Sequence, residues 1–581
     1  MESLLVRKCI EVATDSPAAI EKWRRQRRTL ERMPSHLAEA LLQRLHRRRL
    51  LYPSLLEVFK YIVEEVDLRG DKSVDEEWMA YLGGFRYLHS MNLADCHKIN
   101  NAAIWSTTGM KCLTELNLSR IPKITNAGVK HLVSVSTLEK LYLSETGVTA
   151  DGVKDLASLS KLMVLDLGGL PVTNSALSSL QALKNLEHLD IWGSEVSNEG
   201  VIILTLFPNL SNLNVAWTRV TRLPYLPALT QLNMSNCTVH SLSDGEDLKP
   251  CLKKLILAEA RITDESKVFE CIDTAWLTFL DLSYSTLESF SLLHCVNALT
   301  HLNLSGSAVT DDSIKHIGYV GANIKYLDLS GTKVTIEGVA ALRGKFPILE
   351  TLVLVRTSIG DRAIAYISML KSLKALNLSN TYVRGLIYQK GNDPEELPSF
   401  YALQKLIHLE KLQLEGLRLL DTAVPALTTL VTLNHLSLRS VHLTDETLYH
   451  LSSAPNLKHL GICGAVLTDF GLSQFVPPRT LEVLDLDDCW LLTKDALVQF
   501  SYKHPRIELR HELFDPNEMH STKQLSSQRK HSPGKMLVIP VQSSEIILDQ
   551  RLKYSREELL ALQPSVTAIS TSASQAVNFQ S

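Results

Sequence analysis

Residues 324–342, IKYLDLSGTKVTIEGVAAL, carry the pattern that decides the fold. Ile324, Leu327 and Leu329 form an LxxLxL motif, and its last two apolar residues alternate as they do in a strand with one buried face. Ser330–Thr335 reads as a turn, and Ile336–Leu342 as a short helix whose apolar side closes the unit. The motif recurs at Leu113-Leu116-Leu118, Leu138-Leu141-Leu143, Leu162-Leu165-Leu167 and Leu186-Leu189-Ile191, and runs on to Leu481-Leu484-Leu486. Counting Leu88-Met91-Leu93 there are seventeen copies, mostly 24–25 residues apart, and Val63-Val66-Leu68 makes a degenerate eighteenth. One such unit cannot bury its own apolar face, but stacked neighbours can, with their strands joined in a parallel sheet.

These copies resemble leucine-rich repeats. The resemblance implies an α/β solenoid: a curved parallel sheet on the concave face, short helices on the convex face and a helical cap at the N-terminus. The VTDxGVxxL stretch after the strand (Ile124–Val129, Leu467–Leu472) is similar to the repeats of F-box-type ubiquitin-ligase receptors. The expected layout is a helical cap over residues 1–60, about eighteen repeats over 61–511, and a tail over 512–581. Two units are irregular. The step from Leu210 to Leu229 is 19 residues, with Pro224 and Pro227 where a helix would stand. The step from Leu373 to Leu409 is 36, with an insertion near 385–400 that reads either as a surface loop or as a loop that grips a partner.

The cap reads as helices at 3–13, 17–30, 35–49 and 54–64, with Pro34 and Pro53 at helix starts. The tail is rich in Ser, Gln, Thr and Lys, too polar to offset its chain entropy, and is expected to be disordered. Within it, short strands at 536–540 and 545–548 and a helix at 555–562 are conceivable. Leu5, Cys9 and Ala13 repeat at i, i+4, i+8 on one helix face and resemble an Elongin C-binding box, although Leu4 stands where that box carries Ser, Thr or Pro. Met33, Pro34, Leu37 and Leu41 resemble a cullin box, and the same region resembles a degenerate F-box. These resemblances imply docking to Elongin C or to an Skp1-type adaptor, and through it to a cullin. A plain helical cap remains the other reading.

The expected partner surface is the concave face. Its polar stripe runs through Asp166, Asp190, Asn214, Asn233, Asp281, Asn303, Asp328, Asn377 and Asp485, and is either ordinary solvated strand surface or a face for a basic or polar partner. Five aromatic residues on neighbouring strands, Tyr142, Trp192, Trp217, Tyr284 and Tyr326, are the candidate anchors, with Trp192 and Trp217 foremost.

Residues 1–50 hold twelve Lys/Arg against six Asp/Glu, so with a whole-chain charge of −3 the remainder sums to −9. The basic runs 22–28 and 44–49 read as a solvated face or a nuclear-localisation signal; nucleic acid is not an expected partner of the acidic array. The nine cysteines are scattered with no CxxC, which suits a reducing compartment, cytoplasmic or nuclear. No secretory signal or apolar run of 18 residues is present, so no membrane association is expected. No P-loop, HExxH, GxSxG or dinucleotide fingerprint occurs. Histidines such as His188, His301, His435 and His459 stand singly beside repeat leucines. The expectation is a non-catalytic protein without metal or cofactor: a substrate-recognition subunit of a cullin-RING ubiquitin ligase, or alternatively a scaffold or immune-type interaction protein.

Overall fold

A computed structural model describes residues 4–14, 16–25, 32–244, 249–290, 293–294, 296–388 and 396–514. They fall in two compact units, Met1–Leu349 and Glu350–Ser581. The short elements expected within the tail beyond 514 lie outside the described residues.

In the first unit twelve three-residue strands, from Glu65–Asp67 to Tyr326–Asp328, join in one parallel sheet. In the second, seven strands from Thr351–Val353 to Glu508–Arg510 do the same. The register is fixed by the leucines: Leu116 pairs with Leu141, Leu141 with Leu165 and Leu165 with Leu189, each fully buried. A one-residue slip would expose the whole row. Neighbouring strands stand about 4.8 Å apart, whereas packed helices need about 8–10 Å. The sheet therefore lines the inner, concave side of each unit. Both units have the leucine-rich-repeat fold.

The VTDxG motif has a packing explanation. The first helical residue of one repeat reaches the helix start of the next: Thr149 N–H donates to Asn126 Oδ1 at 2.9 Å, and Asn126 Nδ2 donates to Thr149 Oγ1 at 2.7 Å. Asp311 receives Thr335 N–H, Thr335 Oγ1 and Gly338 N–H at 2.8, 2.6 and 2.9 Å. Asp445 with Thr468 and Asp469 with Thr493 repeat the arrangement in the second unit. The motif glycine is required by closeness to the same side chain, since a Cβ on Gly152 would lie 2.3 Å from Asn126 Oδ1 and one on Gly471 2.1 Å from Asp445.

The cap replaces a missing repeat. Along the sheet, two successive amides donate to one carbonyl of the preceding repeat, as Thr114 and Glu115 do to His89 O, both at 2.9 Å. Before the first strand no such carbonyl exists. Glu39, on the helix Ser35–Arg47, supplies Oε1 instead to Glu64 N–H (3.1 Å) and Glu65 N–H (3.2 Å). This satisfies the otherwise open edge.

Three expectations change. The fourth cap helix spans only Pro53–Leu56; the chain then turns through i→i+3 bonds such as Phe59 N–H to Leu56 O, which buries Phe59, Ile62 and Val63 just before the first strand. A nineteenth strand, Glu508–Arg510, pairs with Val483–Asp485. It lacks LxxLxL because Arg506 stands at the first apolar place and the buried His511 at the third. The 385–400 insertion contains an antiparallel pair, Leu386–Tyr388 with Glu396–Pro398, whose connecting residues are outside those described.

Candidate functional site on the sheet face

Strands such as Val164–Asp166, His188–Asp190 and His301–Asn303 bury the motif leucine and turn the two flanking residues to the concave surface, which therefore carries two rows. The row after the leucine is the polar stripe, and its chemistry is architectural. Asp190 Oδ1 accepts Trp192 N–H (3.0 Å), Asn214 Oδ1 accepts Ala216 N–H (3.1 Å) and Asp328 Oδ1 accepts Ser330 N–H (2.8 Å). Asp166, Asn233, Asp281, Asn303, Asn377 and Asp485 bond the amide two residues on in the same way. These are Asx turns, which end each strand and start the next bend. Members of the row also bond one another: Asn214 Nδ2 donates to Asp190 Oδ2 at 2.8 Å, and Asn303 Nδ2 to Asp281 Oδ2 at 3.1 Å. Burial pushes the Asp190 carboxyl up to about 6, against the lowering effect of its two hydrogen bonds and with the Asp166 charge adding to the rise.

The row before the leucine is where histidines that look single in sequence come together. Lys254 Nζ lies 4.9 Å from the Phe279 ring centre; Phe279 stacks on His301, and His301 on Tyr326, each at 5.8 Å. Tyr326 donates to Asp328 Oδ2 at 3.4 Å, and burial together with that carboxylate pushes its hydroxyl up to about 12. In the second unit His435 and His459 stack at 3.9 Å; burial and the neighbouring His459 lower the pKa of His435. Sequence reading passed over Lys254 and Phe279 and took His301 as a single histidine. Aligning the residue just before the middle leucine of each repeat is the signal that finds them.

Between these rows, where the short 19-residue unit sits, is a pocket of about 140 Å³ lined by His188, Asp190, Asn212, Asn214, Gln231 and Lys254, among others. Asn212 Oδ1 is buried there without a partner among the described residues, and burial lowers the pKa of His188. The volume suits one side chain rather than a drug-sized ligand, which takes about 300 Å³ or more. The floor offers acceptors to an incoming donor.

The rim above the sheet is formed by the turn after each strand, where one residue takes positive φ. Glycine fills it in several repeats, including Gly193, Gly306 and Gly331, and Asp, Asn, Glu or Arg in others, such as Asp95, Asn236, Glu145, Glu259, Arg120 and Arg356. Trp217 (φ 58°) and Tyr284 (φ 54°) put an aromatic ring at this place. They are thus in turns rather than on strands as expected, because the Asx bend has already ended the strand. Both are exposed, Trp217 60% and Tyr284 62%, and the Tyr284 ring lies beside the next turn, where a Cβ on Gly306 would meet it at 2.2 Å. Trp192, two residues past its strand and likewise in the turn rather than on the strand, is half-buried over the preceding turn, where a Cβ on Gly168 would meet its Nε1 at 2.0 Å. Tyr142 and Tyr326 lie on strands and are also half-buried.

At the cap, Cys9 is exposed, Ala13 half-buried and the adjacent Val12 72% exposed on the helix Leu4–Ala13; the side chain of Leu5 is outside the described residues. Met33 and Leu37 are half-buried and Pro34 exposed, whereas Leu41 is 4% exposed and belongs to the cap's core. Much of the basic run 22–28 is outside the described residues.

No known protein family and no curated protein matches this sequence. Solved structures do match. One is a TLR13–ssRNA13 complex (17% identity, TM-score 0.46, 78% of this chain and 77% of that chain). Another is a leucine-rich-repeat protein of Leptospira interrogans (18%, 0.41, 77% and 95%). A third is an internalin from Listeria monocytogenes (19%, 0.37, 64% and 92%). At these identities and TM-scores the likenesses carry no inference about ligand or partner. Among the described residues no helix is long and apolar enough to cross a membrane, and no group of three or more His, Cys, Asp or Glu is placed to hold a metal.

Proposed function

We propose that this chain is a protein-binding receptor whose sheet face in the first unit, from the His188 strand to the Tyr284 turn, holds a protein partner. The supporting observation is the backbone at Trp217 and Tyr284. A bulky side chain at positive φ is strained, and glycine serves the same turn elsewhere in this sheet. An exposed aromatic at this turn, which other repeats fill with Gly, Asp, Asn, Glu or Arg, is not demanded by the backbone. Its value is at an interface, where aromatic anchors dominate binding. Beside them, the donor-accepting pocket at Asn212 gives a partner side chain a place to enter.

In the finer form of this reading the chain is a substrate-recognition subunit of a cullin-RING ubiquitin ligase, working in the cytoplasm or nucleus, with the helix Leu4–Ala13 docking Elongin C. Exposed Cys9 and Val12 support that surface. The buried Leu41 offers nothing to a cullin. The test is two-part. Purified Elongin C, and separately an Skp1-type adaptor, is titrated against the full chain and against Cys9→Asp. Interactors recovered from cells with the wild type are compared with those recovered with Trp217→Gly/Tyr284→Gly. The receptor reading expects partners lost from the double variant without loss of stability. Binding of neither adaptor to the wild type removes the ligase and leaves a scaffold.

A further inference from the structure

A second cavity, far in sequence from the aromatic rim, has a different character. It measures about 570 Å³ and lies between the end of the cap helix Ser35–Arg47 and the turn after the first strand. Its lining includes Arg47, Arg49, Arg69, Lys72, His46 and Asp71. The last of these is already engaged: Asp71 Oδ1 accepts Ser73 N–H (2.7 Å) and Ser73 Oγ (2.6 Å), and Oδ2 is 2.8 Å from His46 Nε2. Arg47, Arg49, Arg69 and Lys72 are exposed, and none forms an ion pair with a carboxylate among the described residues.

The fold accounts for one of these cations. Arg47 is in the last helical turn, where positive charge favours the helix dipole. Arg49 is different. Its N–H bonds His46 O and the following Leu50 N–H bonds Leu45 O, the Schellman ending of a helix, with Arg49 at the positive-φ place (54°) that glycine usually takes. Arg69 and Lys72 come from the first repeat and add like charge to the same cavity. Four cations against one carboxylate, itself already bonded to Ser73 and His46, in a chain with more acids than bases, mark a place for an anion. Guanidinium forks match phosphoryl oxygens two at a time, and three of them around one cavity suit adjacent phosphoryl groups rather than a single carboxylate.

We propose that this cleft binds a multiply phosphorylated ligand, held by Arg47, Arg49, Arg69 and Lys72. The shared chemistry is two or more neighbouring phosphoryl groups, carried by a small molecule or by a phosphorylated protein segment. The full chain is titrated calorimetrically with tripolyphosphate, with a peptide bearing two adjacent phosphoserines, and with a single-stranded RNA oligomer. Saturable one-site binding of tripolyphosphate or of the phosphopeptide is expected, weakening as salt is raised, and whichever binds more tightly identifies the source. Arg69→Gln/Lys72→Gln is expected to weaken it at least about tenfold, the scale of one lost charge-assisted contact. Arg49→Gly is expected to weaken it several-fold with the unfolding midpoint unchanged or raised, which separates ligand binding from folding. The proposal is overturned if neither phosphate probe saturates, if the variants bind as the wild type does, or if RNA binds far more tightly through the same residues.

Discussion

Asp190→Asn gives the sharpest test of the sheet-face electrostatics. Asp190 ionises only near pH 6 in the folded chain against an ordinary 3.8, because burial opposes its charge. A folded-state pKa raised above the unfolded one means the folded state holds the proton more tightly. The associated stability is present in full below pH 4 and is lost as pH rises through 6. A shift of about 2 units corresponds to about 3 kcal/mol, taken away from the native state at pH 8. Asparagine cannot ionise, and it can keep the Asx turn, since Asn214 and Asn303 accept the equivalent amides at 3.1 and 3.0 Å. It loses the bond from Asn214 Nδ2, worth about 1 kcal/mol. The variant is therefore expected to be more stable than the wild type by about 2 kcal/mol at pH 8 and less stable by about 1 kcal/mol at pH 4. Urea unfolding followed by circular dichroism at pH 4, 6 and 8 measures the difference as a shift in midpoint. A difference that does not change with pH, or a variant less stable at pH 8, refutes the assignment of a buried, high-pKa carboxyl.

Two further outcomes concern the ladder between repeats. Gly152→Ala is expected to destabilise by about 2 kcal/mol or more through its collision with Asn126 Oδ1, whereas Gly109→Ala, with open space around its Cβ and ordinary φ, is expected to be neutral or slightly stabilising; thermal melts of the two side by side decide it. Asp311→Ala leaves the Thr335 and Gly338 amides without their acceptor and is expected to cost about 2–3 kcal/mol, while Asp311→Asn, the choice made at Asn126 and Asn174, is expected to cost under about 1 kcal/mol in the same urea assay.

The spacing of Leu165 and Leu167 announces strand, face and register at once, because a period of two has only one way to bury both. Gly152 is equally visible as a motif, but its cause is a contact 26 residues upstream, which no single repeat displays. The strand Glu508–Arg510 escaped notice because Arg506 and buried His511 replace two of the three aliphatic residues. The helix expected over 54–64 follows from apolar spacing that serves turns just as well when Phe59, Ile62 and Val63 must all point inward. The site was less legible than the fold. Trp217 can be recognised as a large aromatic, but the sign of its φ, which gives it meaning, is not written in its neighbours. Lys254, Phe279, His301 and Tyr326 stand in four separate repeats and become one stack only through the sheet's register. The basic cleft draws Arg47 and Arg49 from the cap and Arg69 and Lys72 from the first repeat, so neither segment alone reveals it.

The side-chain bonds at the helix starts have a direction. Where an Asp or Asn acceptor pairs with a threonine or serine, the acceptor belongs to the earlier repeat and the residue that needs it to the later one, as with Asn101 and Thr125, Asn174 and Ser197, Asp445 and Thr468. At the start, Glu39 already waits for the amides of Glu64 and Glu65. Protein synthesis runs in the same sense. A repeat leaving the ribosome finds its template finished, and only the newest unit, about 24 residues, has to search for its place.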